Sequence, residues 1–327
     1  MQYRRLGKTG IDVSSVGLGT WQLGGRWGTP FDNDLADSIL HTAIDQGINF
    51  IDTADVYSQG LSENAIGKFI NSIPEQIYVA TKCGRQIDPH VSSGYQCDVL
   101  RKYVENSLRN LQLDALDLIQ LHCPPTEVFY RPEIFQLFAD LKNEGKIRHF
   151  GVSVEKVEEG LKAIEYENVE TVQIIFNMFR QRPRDLFFEE AIQRDVGIIA
   201  RVPLASGLLT GTMNKSTSFA PEDHRAFNRN GARFDRGETF AGVDFDTGLA
   251  ATGELAKIFS KKEMSIQALN WILMHDAVST VIPGASSSQQ VLSNVKAAEL
   301  APISDGKMQV VEQLYRQHIR PLVHHFW

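Results

Sequence analysis

Short apolar runs recur along the chain, separated by polar stretches in which hydrophobic residues return at helical spacing. Eight runs read as strands: residues 15–19, 49–52, 77–81, 116–121, 149–153, 171–176, 197–202 and 280–283. Their apolar positions do not alternate strictly with polar ones, which is the pattern of strands covered on both faces in a parallel sheet. Between them, residues 34–46 put Ile39, Leu40, Ala43 and Ile44 on one helical face, and residues 98–111 do the same with Leu100, Val104, Leu108 and Leu111. A third helical segment opens at Pro132, where proline is tolerated in a first turn, and ends near Glu144 with Gly145 behind it.

Eight strands alternating with helices predict an α/β fold of the (β/α)8 TIM-barrel type, because the count closes the sheet. Residues 3–14 read as an N-terminal β-hairpin turning at Lys8, Thr9 and Gly10 and covering the barrel floor. One connection is anomalous: residues 207–247, rich in Gly, Asn, Arg and Phe, separate the seventh strand from the next clear helix. A structureless connection of that length is functional or disordered. It is read here as a long lid loop over the barrel mouth. The whole chain, 1–327, is read as one domain, since barrels of this size run unbroken.

Composition changes this picture little. A net charge of -7 gives no support to nucleic acid or an anionic membrane as partner. Three cysteines, Cys83, Cys97 and Cys123, cannot pair fully and lack CxxC spacing, which suits a reducing compartment. Arg4, Arg5 and Lys8 are not followed by an apolar run, so no secretory signal is expected, and no run approaches the roughly 18 residues of a membrane span. The expected location is cytoplasmic.

Chemistry in such barrels gathers where strands end at the C-terminal face. That rule alone selects Asp52 with Tyr57 just beyond it, Lys82, His122, Ser153, Gln173 and Gly284. Singly, each has a plain structural reading: a capping aspartate, a rim tyrosine, a snorkelling lysine, a satisfied core histidine. Together they make coherent chemistry. A tyrosine is a poor acid at neutral pH, a lysine beside it favours the ionised form, and an aspartate keeps that lysine charged. A neutral histidine can place a carbonyl oxygen. Such a site protonates an oxyanion formed by hydride arrival, and the hydride must come from a cofactor.

These residues lie in motifs that resemble the aldo-keto reductases over nearly the whole length. Gly17 to Trp21 resembles the family's first-strand motif, Asp52 to Tyr57 its Asp and Tyr segment, and Thr81-Lys82 and Leu121-His122 supply the rest of a tetrad. The resemblance implies Asp52, Tyr57, Lys82 and His122 as catalytic residues, with Tyr57 the general acid. It also implies a nicotinamide site at Gly19, Thr20, Trp21, Asp52, Ser153 and Gln173, and a pyrophosphate loop at Arg201, Val202, Pro203, Leu204, Ser206, Gly207, Leu209 and Gly211. An adenosine segment is implied at Gly284, Ala285, Ser286, Gln290 and Asn294. Trp21, Trp27, Tyr57 and His122 are the implied substrate contacts.

The chain departs from the family pattern at three places. Val154 stands where an asparagine is common, Arg201 where an aromatic residue is common, and Ser286 to Gln290 carry no charge for a 2′-phosphate. Arg201 is expected to stack on the nicotinamide or bind an acidic substrate. NADP(H) is favoured over NAD(H) as cofactor, with a small carbonyl or alcohol as substrate and a monomer as the family default.

No metal is expected. His318, His324 and His325 near Trp327 lack accompanying ligands at metal spacing and read as a solvated tail. Arg225, Arg229, Arg233 and Arg236 read as a solvated face or as a cover for the pyrophosphate. Two other functions compete: a Schiff-base lyase using Lys82, and a cofactor-binding regulatory subunit with little turnover.

Overall fold

The computed structural model describes residues 1–25 and 29–327; Trp27, expected at the substrate site, lies outside the described residues. Strands β1 (Tyr3–Arg5) and β2 (Asp12–Ser14) form the predicted antiparallel hairpin, with Tyr3 opposite Ser14. Eight strands follow: β3 (Leu18–Gly19), β4 (Phe50–Asp52), β5 (Tyr78–Cys83), β6 (Leu116–His122), β7 (Ile147–Val154), β8 (Thr171–Ile175), β9 (Gly197–Arg201) and β10 (Val278–Val281). They pair in chain order, all parallel, as one curled sheet.

Its two edges meet. Parallel bridges join Val16 to Val281 and Gly19 to Gly284, and the Gly17 N–H donates to the Val281 carbonyl at 2.9 Å. Gly19 is required there, because a Cβ would lie 2.9 Å from the Ile282 carbonyl oxygen. The first strand is shorter than its apolar run because only Leu18 and Gly19 carry a continuous ladder to β4.

Helices form where the 3.6-residue spacing puts them, at Asn33–Asp45, Cys97–Leu111 and Pro132–Asn143 among others. Each buries its apolar face: Ile39, Leu40 and Ala43 in the first, Leu100, Val104 and Leu111 in the second. One core lies between helices and sheet. A second, inside the curl, joins Leu6, Ile11 and Val13 of the hairpin to Phe50, Leu118, Ile199 and Ile282. The hairpin sits at the N-terminal ends of the strands, where the Lys8 N–H reaches the Asp195 carbonyl just ahead of β9. Side-chain chemistry is left to the opposite end. Among the described residues no helix is long and apolar enough to cross a membrane.

The connection 207–247 is not structureless. Helical turns at Ala205–Thr210, Arg236–Glu238 and Phe240–Gly242 and a short helix at His224–Phe227 lead into the helix Phe245–Ile258. Asn228, Thr239, Phe240 and Ala241 are buried. The Asn228 side chain organises the middle, accepting from the Arg233 and Phe234 N–H groups and donating to Thr239. The tail is not wholly solvated either: Trp327 is buried, its indole N–H donates to Asp235 at 2.9 Å, and Arg180 lies 3.9 Å over its ring.

Candidate active site

Strand register assembles the site. Parallel pairing puts Asp52 beside Gly19, Lys82 beside Gln120, and Ser153 between His122 and Gln173. All lie at or near the C-terminal ends of their strands. Tyr57 is delivered by the turn that follows β4, where Ser58 and Gln59 take left-handed backbone angles.

Lys82, 1% exposed, donates to Asp52 at 2.6 Å and to the Thr53 carbonyl at 2.8 Å, and its Nζ lies 3.4 Å from the Tyr57 hydroxyl. Burial opposes its charge, yet Asp52 and Tyr57 together hold it above the ordinary lysine range. A buried ammonium this well paired stays charged. Burial likewise raises Tyr57, against the pull of Lys82 and with help from Asp52 and Glu238. Lys82 does lower this phenol, as expected of a neighbouring cation, but desolvation outweighs it. His122 stands edge-on to Tyr57, with ring centroids 6.0 Å apart at 82°. Burial first, then Lys82, Arg85 and Arg201, push it well below the ordinary histidine range, so it is neutral at pH 7.

Two buried amides complete the aspartate. Gln173 Nε2 donates to Asp52 Oδ2 at 2.7 Å, and Gln120 approaches the same oxygen at 3.4 Å. Gln173, expected on the nicotinamide, thus spends a donor on Asp52. Gln120 is not singled out by the sequence, since an amide two residues before His122 looks like any strand residue.

Arg201 ends β9, buried, but not as a loose guanidinium. Its Nη2 donates to Glu155 at 2.9 Å and the Val154 carbonyl at 3.1 Å and lies 3.4 Å from Cys123 Sγ, while Nη1 is 3.4 Å from Glu238. Burial works against the Glu155 charge, but Arg201, Glu238 and Arg180 keep it ionised, whereas burial and Glu155 push Glu238 up. One proton and one arginine thus reconcile two buried carboxyls. Cys123, Glu155 and Glu238 lie within 4.8 Å of one another, a spacing that would suit a metal ion. The Arg201 guanidinium already serves all three, and burial raises the Cys123 thiol so that it offers no thiolate. Neither glutamate is visible as a site residue in sequence: Glu155 lies just past the end of β7, and Glu238 in a helical turn of the long connection, far in sequence from Arg201.

The remaining candidates fall along the same rim. Thr20 holds the Asp52 carbonyl at 2.9 Å, and Trp21 stacks towards Tyr57 with centroids 6.4 Å apart. Ser153 has its hydroxyl 3.4 Å from Cys123 Sγ. Beyond β9, Val202, Ala205, Ser206 and Gly207 all have positive φ around Pro203 and Leu204, and Leu209 and Gly211 close the turn. A β-branched residue at φ 51 is a costly conformation that clusters at ligand clamps. Ser206 is spent on that turn, donating to the Glu238 carbonyl and accepting from the Phe240 N–H. At the far side, Gly284 and Ala285 lead into the helix Ser288–Val295, capped by Ser287; Gln290 folds back onto Ser286 and Asn294 onto Gly284.

A family model described as "Aldo/keto reductase family" matches residues 15–316. The chain belongs to that family. "Uncharacterized oxidoreductase YqkF" of Bacillus subtilis is 30% identical over 323 residues, 98% of either chain. "NADH-specific methylglyoxal reductase" of Escherichia coli is 29% identical over 316 residues, covering 90% of this chain and 93% of that one. The solved glycerol dehydrogenase AKR11B4 from Gluconobacter oxydans superposes with a TM-score of 0.76 at 30% identity, covering 97% and 96%. This aldo-keto reductase is an NAD(P)H-dependent oxidoreductase.

Three of the four arginines in the 207–247 connection are held by contacts. Arg225 pairs with Asp223, Arg229 lies over Phe245 at 5.3 Å, and Arg236 lies over Phe326 at 3.7 Å. Of the three tail histidines, His324 bonds Tyr315 at 2.8 Å and Asp185 at 3.1 Å.

Proposed function

We propose that this enzyme interconverts a small aldehyde, ketone or sugar and its alcohol, with Tyr57 as general acid and base. The observation that carries the reading is the contact chain Asp52–Lys82–Tyr57 beside a neutral His122. We read the curled, edge-bridged sheet as a closed (β/α)8 barrel in a cytoplasmic monomer, with 207–247 covering the cofactor. The residues fit a nicotinamide dinucleotide: a Ser153 hydroxyl at the rim, a strained loop at 202–207, and backbone amides opening the helix after Ser287. NADP(H) is proposed ahead of NAD(H). When bound, the nicotinamide supplies or accepts the hydride, which no side chain can do.

The chain's own residues handle the proton. Burial keeps the Tyr57 phenol protonated until negative charge develops on the substrate oxygen, and its O–H then donates to that oxygen. The charged Lys82 stabilises the phenolate left behind, and Asp52 fixes Lys82 in place. His122, neutral, hydrogen-bonds and positions the same substrate oxygen. In the reverse direction the phenolate takes the alcohol proton. Lys82 is ill suited to a Schiff base, which needs a neutral amine, because Asp52 and Tyr57 hold it charged.

Tyr57→Phe tests the assignment. Turnover of reducible aldehydes should fall by about 10²–10⁴-fold, while NADPH affinity, read by tryptophan fluorescence, stays within roughly twofold of wild type, about 0.4 kcal/mol. Undiminished turnover removes Tyr57 from the acid role. Tight cofactor binding with no turnover in the wild type would instead favour a regulatory subunit.

A further inference from the structure

We propose that the cleft beside the tetrad takes a carbonyl substrate bearing an anionic group, carboxylate or phosphate, which Arg85, Lys156 and Arg233 hold. The proposal rests on the oxidoreductase reading for its reaction and adds the substrate class. The cleft, of about 550 Å³, is walled by the segments after β5, β6 and β7 and by residues 233–235 of the long connection. It adjoins the reacting centre: Cys123 in its wall follows His122, and Phe234 meets Trp21 edge-on at 6.2 Å, next to Tyr57.

The wall carries charges of both signs, but they are not equally committed. Glu155 is bonded to Arg201 at 2.9 Å. Glu159 accepts from Thr126 at 2.6 Å and from the Glu155 and Lys156 N–H groups at 3.0 Å. Asp235 accepts from the Trp327 indole at 2.9 Å and the Gly237 N–H at 2.6 Å. Asp88 is the one wall carboxylate with no such contact among the described residues.

The cations are the reverse. Among the described residues, no hydrogen bond or ion pair engages the side chain of Arg85, Lys156 or Arg233. Arg85 is half-buried; burial works against its charge, and the ionised Glu155 nearby favours it without bonding it. A partly desolvated guanidinium with unused donors is what a carboxylate or phosphate oxygen satisfies, with two parallel N–H···O bonds. A neutral aldehyde would leave it to water.

The test uses the full-length enzyme with NADPH and two matched pairs: 4-oxobutanoate against 4-oxobutanamide, and glyceraldehyde 3-phosphate against glyceraldehyde. In at least one pair the anion should have a kcat/KM about tenfold higher or more, carried by KM and shrinking as salt rises. The favoured pair identifies carboxylate or phosphate. Arg85→Gln, which breaks no hydrogen bond or ion pair among the described residues, should cut that ratio about tenfold, and Lys156→Gln should cut it less.

Ratios near one in both pairs overturn the proposal. So does an Arg85→Gln variant that weakens NADPH itself, since the cation would then serve the cofactor. Calorimetric titration with the anion alone, succinate or inorganic phosphate, reads the site without turnover. Saturable binding lost in Arg85→Gln supports the proposal; no binding of either anion overturns it. Anion binding with no carbonyl reduced would sink the oxidoreductase reading and leave the anion site standing.

Discussion

Asp52 and Asp55 lie three residues apart in one turn and have opposite surroundings. Asp52 has a lysine and two amides; the Asp55 carboxyl is buried and, among the described residues, neither oxygen has a hydrogen-bond partner. Burial and the Glu63 carboxylate push Asp55 up to about 8, although the Val56 N–H, Gln86 and Lys82 lean the other way without reaching hydrogen-bond geometry. Unfolded, an aspartate titrates near 3.9. Between about pH 4 and pH 8 the folded chain therefore keeps a proton the unfolded chain has lost, and stability from this group falls with rising pH until it levels above about 8. Asp55→Asn should make the protein more stable at pH 8 by about 1–3 kcal/mol and converge with wild type near pH 4, as urea midpoints would show. A constant offset at every pH would mean that Asp55 does not titrate in this window. At this scale the sequence shows a residue when its type is rare at a strand end, as with Lys82 and His122. It hides residues such as Asp55, Gln120 and Glu238, whose role depends on what faces them across the fold.

The strands and helices were legible because each is written locally: apolar runs in β4 to β9, and 3.6-residue spacing in Asn33–Asp45 and Cys97–Leu111. The connection 207–247 was not, because its order comes from single long-range contacts such as Ser206 to Glu238 and Trp327 to Asp235. Its turn at Arg236–Glu238 is pressed against Arg180 and Trp327. A Cβ on Gly237 would collide with the Arg180 guanidinium and lie 2.9 Å from the Trp327 ring. Gly237→Ala should therefore push the turn outward and loosen Glu238 from Arg201, costing about 1–3 kcal/mol of stability and speeding NADPH release. Gly253→Ala is the control, in the helix Phe245–Ile258 with nothing within 4 Å, and should be neutral or stabilising by about 0.5–1 kcal/mol. Equal stability of the two variants in denaturant would mean that the turn is free to move and the segment is not clamped as described.

At the scale of the whole molecule, the edges of the sheet meet at Gly19 and Gly284, and the candidate cofactor residues are spread over β7, β8, the loop after β9 and the segment after β10. A ligand touching all of these ties late parts of the chain to early ones and stabilises the fold by mass action, about 2.7 kcal/mol at a hundred times its dissociation constant. For a domain of this size that is a rise in Tm of roughly 4 °C. On the proposed placement of the cofactor, selectivity between the two nicotinamide dinucleotides rests on the far end, where Ser286, Ser287, Ser288, Gln289 and Gln290 offer a 2′-phosphate hydroxyls and amides but no cation. Neutral donors are worth about half of charge-assisted ones, so NADPH should exceed NADH in affinity by less than about tenfold, or 1.4 kcal/mol. The gap should narrow little as salt rises, because no ion pair is screened. Gln289, exposed on the first turn of the helix Ser288–Val295, is the place to add the missing charge. Gln289→Arg should raise the NADPH preference about tenfold and make it salt-sensitive, in paired thermal-shift titrations of the two cofactors. A hundredfold NADPH preference in the wild type would mean that a cation from elsewhere in the fold reaches the 2′-phosphate, and the adenosine end would have to be placed differently.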